Sequence, residues 1–173
     1  LPGFPMDLAV TLRYPHETPP LRGTTLEVAP GIHWVRMPLP FALDHINLWL
    51  LEDGDGITLI DSGLGSQLTH DIWGEVLAAW LPQRPVKRIV VTHFHPDHIG
   101  LAARLAEEHR APIWMTLGEF VAAHAMWQQL PGFDIETMAR HFAAHGLSAA
   151  VCDALRNYGN RYRQGAPALP RTF

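Results

Sequence analysis

The chain has 173 residues, of which 47% are hydrophobic and 17% are charged, and its formal net charge is −4. These values are typical of one globular domain with a core; they exclude a disordered chain and give no indication of a nucleic-acid or membrane partner. The single cysteine, Cys152, excludes an internal disulfide framework and a cysteine-rich zinc site.

Proline is frequent in residues 1–24, which predicts an extended N-terminal arm. Short strands follow on either side of Pro30-Gly31, a turn signal. The run "DGDG" at residues 53–56 predicts a tight hairpin between two further strands, because Asp and Gly accept the positive φ values that such turns need. We therefore expect a strand-rich core that begins at residue 25.

From Ser66 the apolar residues recur every four positions, which predicts a helix that Ser66 caps and that ends before Pro82. The buried strand "VKRIVVTH", a second helix and the short strand "PIWM" come next. This alternation predicts a partly parallel sheet with helices packed on it, and it places the end of the core near residue 115. Most tryptophans are expected in that core.

Residues 116–164 have a helical pattern throughout. Thr116 and Glu119 form a capping box at the start of the first of three helices. Ser148 is placed to cap the third, whose apolar stripe continues to Tyr162. We therefore expect a helical segment after the strand-rich core.

The stretch "VVTHFHPDHIG" carries the clearest chemical signal. In extended backbone, residues i and i+2 point the same way, so His93 and His95 can face one ion. Asp97 and His98 follow where a helix begins, and they can face a second ion beside the first. Imidazole and carboxylate suit zinc, and also iron or manganese. The pattern therefore predicts a metal site at the end of a buried strand.

The same residues, "THFHPDHIG" with "LIDSGL" one strand–helix unit upstream, resemble the metallo-β-lactamase-fold hydrolase superfamily, including its glyoxalase II-like members. The run "HINLWLLEDGDGITLIDSG" is similar to the opening hairpin and Asp-x-Gly turn of that family. The resemblance covers roughly residues 25–115. It implies an α/β fold, the αββα sandwich, of which this chain supplies about the first half.

For the site, the resemblance implies two metal ions, with zinc expected and iron or manganese as alternatives. His93 and His95 would bind the first metal, and Asp97 and His98 the second. Asp97 would also orient or deprotonate the attacking water, as the catalytic residue. Asp61, in "IDSG", would hydrogen-bond the loop that carries these ligands, residues 92–98 (the metal loop), without binding the metal.

The resemblance also implies further ligands from a second half of the sandwich: a His on a later loop, a bridging Asp and a final His. The sequence after Ala111 has no such loop or strand–Asp segment. We therefore expect residues 1–173 to belong to a longer polypeptide, with the tail at residues 165–173 leading to the missing half. The isolated segment is expected to be inactive, weakly metallated and prone to associate.

Other histidines are weaker candidates. His45, just before a strand, and His124, on a helix, are candidates for a substrate pocket. His141 and His145 have the i, i+4 spacing of a chelating pair, but the Glu that a metalloprotease helix places between them is absent, and an exposed face is expected.

The sequence therefore favours a metal-dependent hydrolase that uses a metal-bound hydroxide on a small-molecule ester, thioester, lactone, lactam or phosphoester. Two alternatives stay open, a mono-iron dioxygenase acting on persulfides and a non-catalytic metal-binding fragment. No apolar run could span a bilayer and no signal-peptide pattern starts the chain, so we expect a cytoplasmic protein. A homo-oligomer is compatible with the sequence.

Overall fold

The computed structural model of the chain describes residues 13–158 and 161–172. One six-stranded sheet, in the order β1-β2-β3-β4-β5-β6, organises these residues. The strands are β1 Leu26–Ala29, β2 Ile32–Pro38, β3 His45–Asp53, β4 Gly56–Ile60, β5 Val86–Val90 and β6 Ile113–Trp114. The helices are α1 Gln67–Ala78, α2 Pro96–Ile99, α3 Ala102–His109, α4 Leu117–Gln128, α5 Ile135–Ala144, α6 Ala149–Tyr158 and α7 Tyr162–Gly165.

The sheet is mixed because its two halves are connected differently. Strands β1 to β4 pair antiparallel, with two-residue turns between β1 and β2 and between β3 and β4 and a six-residue loop between β2 and β3. The predicted turn at residues 53–56 is present, with Gly54 at a φ of 62°. After β4 the chain crosses over through α1 and then through α2 and α3, so β5 and β6 pair parallel. The predicted mixed α/β sheet with helices is confirmed.

One face of the sheet carries the core. Leu50, Leu59, Ile89 and Ile113 lie in register across four strands and are buried. Helices α1 and α3 cover this face, with Trp73 wholly buried in the same apolar cluster. The indole of Trp73 donates to the carbonyl of Ser62 at 2.8 Å, so its one polar atom is satisfied.

The opposite face carries a second apolar row. Trp34, Trp49, Ile60, Val90 and Trp114 lie in register across five strands. None of these five side chains is fully buried, and Trp114 is 52% exposed. The expectation of a core position is therefore wrong for Trp114, because successive residues of a strand face opposite sides of the sheet and Ile113 takes the buried side.

The helix starts follow the predicted caps. The Ser66 side chain accepts from Thr69 N, and the Thr116 side chain accepts from Glu119 N. The third helix of the helical segment is shorter than predicted, since α6 ends at Tyr158 and Tyr162 begins the separate helix α7.

The division of the chain into an arm, a core, a helical segment and a tail remains a prediction. Residues 1–12 of the arm lie outside the described residues, and residues 13–24 contain no helix or strand. Strands fall between residues 26 and 114, and helices α4 to α7 follow. No helix among the described residues is long and apolar enough to cross a membrane.

Candidate metal centre

Two neighbouring parallel strands bring the candidate site together. Asp61 directly follows β4, and His93 comes three residues after the end of β5. Because parallel strands end at the same edge of a sheet, both residues lie at the carboxyl edge, where ligands of α/β proteins commonly bind. The short helix α2 begins at Pro96 and presents Asp97 and His98 to the same edge. The histidine loop follows the end of strand β5, as predicted.

The structure places the four predicted ligands as neighbouring pairs. The ring centroids of His93 and His98 are 3.8 Å apart, and those of His93 and His95 are 4.7 Å apart. Nε2 of His98 lies 3.8 Å from a carboxylate oxygen of Asp97. His95 is exposed and the other three are partly exposed, so a solute can reach this cluster.

The buried carboxylate of Asp61 connects Thr92, which precedes His93, with His98 in α2. The carboxylate accepts from Thr92 N at 2.7 Å and from the Thr92 hydroxyl at 2.7 Å, and it lies 2.8 Å from Nδ1 of His98. Asp61 is only 5% exposed and has a φ of 62°, in the left-handed region. Asp is one of the few residues that enter this region readily, and here the conformation aims a buried carboxylate at the metal loop.

These contacts define which ring nitrogens stay available. An ionised carboxylate only accepts, so Nδ1 of His98 carries the proton and donates to Asp61. The Thr92 hydroxyl gives its one proton to Asp61, so its 3.0 Å contact with His93 is accepted from Nδ1–H. The Nε2 lone pairs of His93 and His98 are therefore left for a ligand.

Burial lowers the pKa of His93 below its ordinary value, and the imidazoles of His98 and His95 act in the same direction. The nearby carboxylates of Asp61 and Asp97 oppose this shift. A lowered pKa favours the neutral ring, which is the form that coordinates a metal.

Ser62 holds the other end of the metal loop. Its N–H and its hydroxyl both donate to the carbonyl of His98, at 2.8 and 2.7 Å, and the hydroxyl accepts from Leu101 N at 3.1 Å. Sequence analysis missed both Ser62 and Thr92, although each adjoins a predicted site residue. The one sequence feature that indicates their role is a hydroxyl side chain next to Asp61, for Ser62, and next to His93, for Thr92.

The two candidate pocket histidines have their own neighbours. His45 begins β3 and contacts Asp44 and Arg36 beside a cavity of about 430 Å³. Nε2 of His124 lies 3.0 Å from the carbonyl oxygen of Pro170, and its ring lies 4.5 Å from that of Phe120. A role in substrate contact remains a prediction for both. The rings of His141, in α5, and His145, at its C-cap, are exposed and lie 4.3 Å apart.

A separate group of potential ligands lies on β1, β2 and β3. The donor atoms of Glu27, His33 and Glu52 are within 4.8 Å of one another. However, Glu52 pairs with Arg84, Glu27 accepts from Gly31 N, and His33 packs against Trp80. Because the carboxylates already have cationic or N–H partners, this group has no need of an ion.

Comparison with known proteins finds a matching family and several relatives. A family model described as the metallo-beta-lactamase superfamily matches residues 42–137. The chain is 35% identical over 75 residues to the probable metallo-hydrolase YqjP of Bacillus subtilis. The aligned stretch covers 43% of this chain and 23% of that relative. It is 33% identical over 69 residues to the hydroxyacylglutathione hydrolase of Halorhodospira halophila, and the aligned stretch covers 39% of this chain and 24% of that relative.

Among solved structures, a beta-lactamase domain protein from Burkholderia ambifaria superposes with a TM-score of 0.73 and 44% identity. The match covers 91% of this chain and 45% of that structure. The chain thus spans less than half of this neighbour and about a quarter of the two curated relatives.

Proposed function

This chain belongs to the metallo-beta-lactamase superfamily, and from that premise we propose that it carries the N-terminal metal ligands of a metal-dependent hydrolase. The observation that supports the proposal most directly is the cluster of His93, His95, Asp97 and His98 at the carboxyl edge of the sheet. Three imidazoles and a carboxylate form a donor set suited to zinc, with iron and manganese as alternatives.

The donor set fits a metal in its chemistry and its tautomers. Two ligands of one tetrahedral zinc, each about 2.0–2.1 Å from the ion, lie roughly 3.3–3.4 Å apart. The 3.8 Å separation between His98 Nε2 and the Asp97 carboxylate is close to that value. In the proposal, His93 and His95 hold one ion, and Asp97 and His98 hold a second. Bound metal would lower the pKa of a coordinated water and polarise the scissile group.

The protein's own groups would complete the chemistry. Asp97 would orient the attacking water and accept its proton, since its carboxylate is partly exposed beside His98. Asp61 would hold His98 with Nε2 directed away from the sheet. Thr92 would do the same for His93 through the hydrogen bond to Nδ1.

The proposal assigns the remaining ligands to a second half of the sandwich in a longer polypeptide. The apolar row from Trp34 to Trp114, on the sheet face opposite the helices, supports it. Four of the five side chains are partly buried and Trp114 is exposed, and a partly exposed apolar row of this kind suits the packing of a second sheet. Coverage of only 45% of the Burkholderia ambifaria structure is also consistent with it.

The substrate is proposed as a class, a small molecule with a hydrolysable ester, thioester, lactone, lactam or phosphoester bond. One relative is named as a hydrolase of hydroxyacylglutathione. Such thioesters are therefore a suitable first substrate to assay.

The test measures metal content and hydrolysis together in the whole polypeptide that contains these residues. Zinc or a metal pair, with turnover of a thioester or ester that a chelator abolishes and zinc restores, is the expected result. A single iron with oxygen consumption would instead indicate a dioxygenase. Turnover that persists in full after metal removal would contradict the proposal.

A further inference from the structure

Phe94 lies between two of the proposed ligands, and both polar groups of its backbone are held by side chains from distant elements. Its N–H donates to Oε2 of Glu119 at 2.8 Å. Its carbonyl accepts a short hydrogen bond from the hydroxyl of Tyr162. Glu119 is in the first turn of α4, and Tyr162 begins α7. Two helices thus meet at one residue of the metal loop.

The Glu119 contact corrects the predicted capping box. Thr116 does cap α4, but the Glu119 carboxylate reaches across to Phe94 N instead of back to its own helix start. A charged acceptor makes a stronger hydrogen bond to an N–H than a neutral one does. The Glu119 carboxylate therefore contacts the metal loop and not the start of its own helix.

Tyr162 is well placed to donate. It is 7% exposed, and its ring lies 6.3 Å from that of Phe94. Burial raises the pKa of its hydroxyl above the usual value, and the charge of Glu119 adds to the shift. The raised pKa favours the protonated hydroxyl, which is the form that donates.

Helix α7 and the residue after it contact three other segments: the turn before α1, Pro96 at the start of α2, and Trp127 in α4. Gly65 N donates to the carbonyl of Gly165 at 2.7 Å, and a Cβ on Gly165 would lie 2.7 Å from Cβ of Pro96. The indole of Trp127 donates to the carbonyl of Ala166 at 3.0 Å. Tyr162 thus approaches Phe94 from a segment that has little freedom to move.

We propose that Glu119 and Tyr162 are positioning residues that hold the Phe94 backbone from both sides and so fix the relative orientation of His93 and His95. The reason is geometric, since the backbone torsions of Phe94 set how the backbones of His93 and His95, and with them the two imidazoles, are oriented towards each other. This inference rests on the proposed metal-binding function. It names two residues, one in α4 and one in α7, through which these helices hold the metal loop. Tyr162 lies outside the part of the chain that the family model matches.

The test uses cobalt(II) as the probe and the whole polypeptide that contains these residues. Competition with a chromophoric chelator gives the affinity, and the visible absorption spectrum reports the ligand geometry. The variants are Glu119→Ala and Tyr162→Phe, each of which removes one hydrogen bond. Glu119→Gln is the conservative variant, because its amide oxygen still accepts from Phe94 N.

Two controls separate positioning from general loss of stability. Asp134→Ala removes the cap of α5, where the Asp134 side chain accepts from Thr137 N. Tyr14→Phe removes the hydroxyl of an exposed tyrosine. Thermal unfolding and circular dichroism of every variant establish that it is folded.

We expect Glu119→Ala and Tyr162→Phe to weaken cobalt binding by about 10–100-fold, as loss of a group that orients metal ligands typically does, and to change the absorption spectrum. Both controls should match the wild type, and Glu119→Gln should bind more tightly than Glu119→Ala, because its neutral oxygen still accepts from Phe94 N but makes a weaker hydrogen bond than the carboxylate. The inference is overturned if the two variants bind like the wild type, if Gln fails as Ala does, or if Asp134→Ala weakens binding equally. A wild type that binds no cobalt would overturn the proposed function as well, whereas normal binding in all variants overturns this inference alone.

Discussion

The carboxylate of Asp61 lies 2.8 Å from Nδ1 of His98, although 37 positions separate the two residues in the chain. The same carboxylate holds the backbone and the hydroxyl of Thr92, next to His93. One buried residue at the end of β4 therefore organises both parts of the metal loop. This arrangement explains why the residue is an acid in the left-handed conformation, since the backbone must turn sharply for its side chain to reach both partners.

Replacement of Asp61 by Asn should weaken metal binding by about 10–100-fold, because the amide is a poorer partner for His98 Nδ1–H and for Thr92. Asn tolerates the left-handed backbone, so the loss should come from hydrogen bonding and not from strain. Isothermal titration with zinc gives the affinity. The control is Asp55→Asn at an 89% exposed side chain. Equal affinity in Asp61→Asn and wild type would refute the role given to Asp61.

Thr92→Val should reduce metal affinity while Thr92→Ser should retain it. Val has nearly the same shape but lacks the hydroxyl that donates to Asp61 and accepts from His93 Nδ1–H. Without that acceptor, His93 loses the contact that keeps Nε2 free for the metal. Parallel zinc titrations of the two variants are the measurement. A Val variant as tight as the Ser variant would show that the hydroxyl has no part in the site.

Ser62→Ala should lower the free energy of unfolding by about 1–3 kcal/mol, since the buried Leu101 N–H would be left without its acceptor. Ser62 is wholly buried and its hydroxyl joins His98 to Leu101, so the lost contact is shielded from bulk solvent. Urea unfolding of metal-free protein isolates this effect from metal binding. A change below about 0.5 kcal/mol, the range of neutral surface substitutions, would contradict it.

Gly100→Ala should destabilise the fold by about 1–3 kcal/mol or more through overpacking. A Cβ at this position would lie 2.3 Å from Gly65 N and 2.4 Å from the Gly165 carbonyl oxygen, both backbone atoms that cannot move alone. Gly74→Ala, in helix α1 where a Cβ meets nothing within 4 Å, is the matched control and should stabilise by about 0.5–1 kcal/mol. Thermal unfolding compares the pair. Equal stability of the two variants would show that the three backbone segments do not pack as closely as described.

Local sequence signals predicted the parts of the fold that depend on neighbours in the chain. The turn at residues 53–56, the caps at Ser66 and Thr116, and the strand before His93 all depend on contacts within a few residues. The histidine spacing likewise placed the four proposed ligands on one loop and one short helix. These features follow from backbone geometry that the residue types themselves determine.

The contacts between distant segments could not be read in the same way. Glu119 has the spacing of a capping box, and only the packing of α4 beside the metal loop gives it Phe94 as a better donor. Tyr162 continued an apolar stripe, yet it starts a separate helix that docks on the loop. Trp114 was expected in the core because of its type, whereas register places it on the other face of the sheet. In each case tertiary packing decides between two locally acceptable outcomes.

The most direct measurement of the central claim is the metal content of the His93→Ala/His95→Ala double variant, determined by plasma mass spectrometry on the whole polypeptide purified with zinc present. The control is His141→Ala/His145→Ala, which removes two neighbouring, exposed histidines at the end of α5. We expect the control to retain the wild-type metal content and the His93/His95 variant to lose most of it while remaining folded. Unchanged metal content in the His93/His95 variant would contradict the assignment of this loop as the metal site.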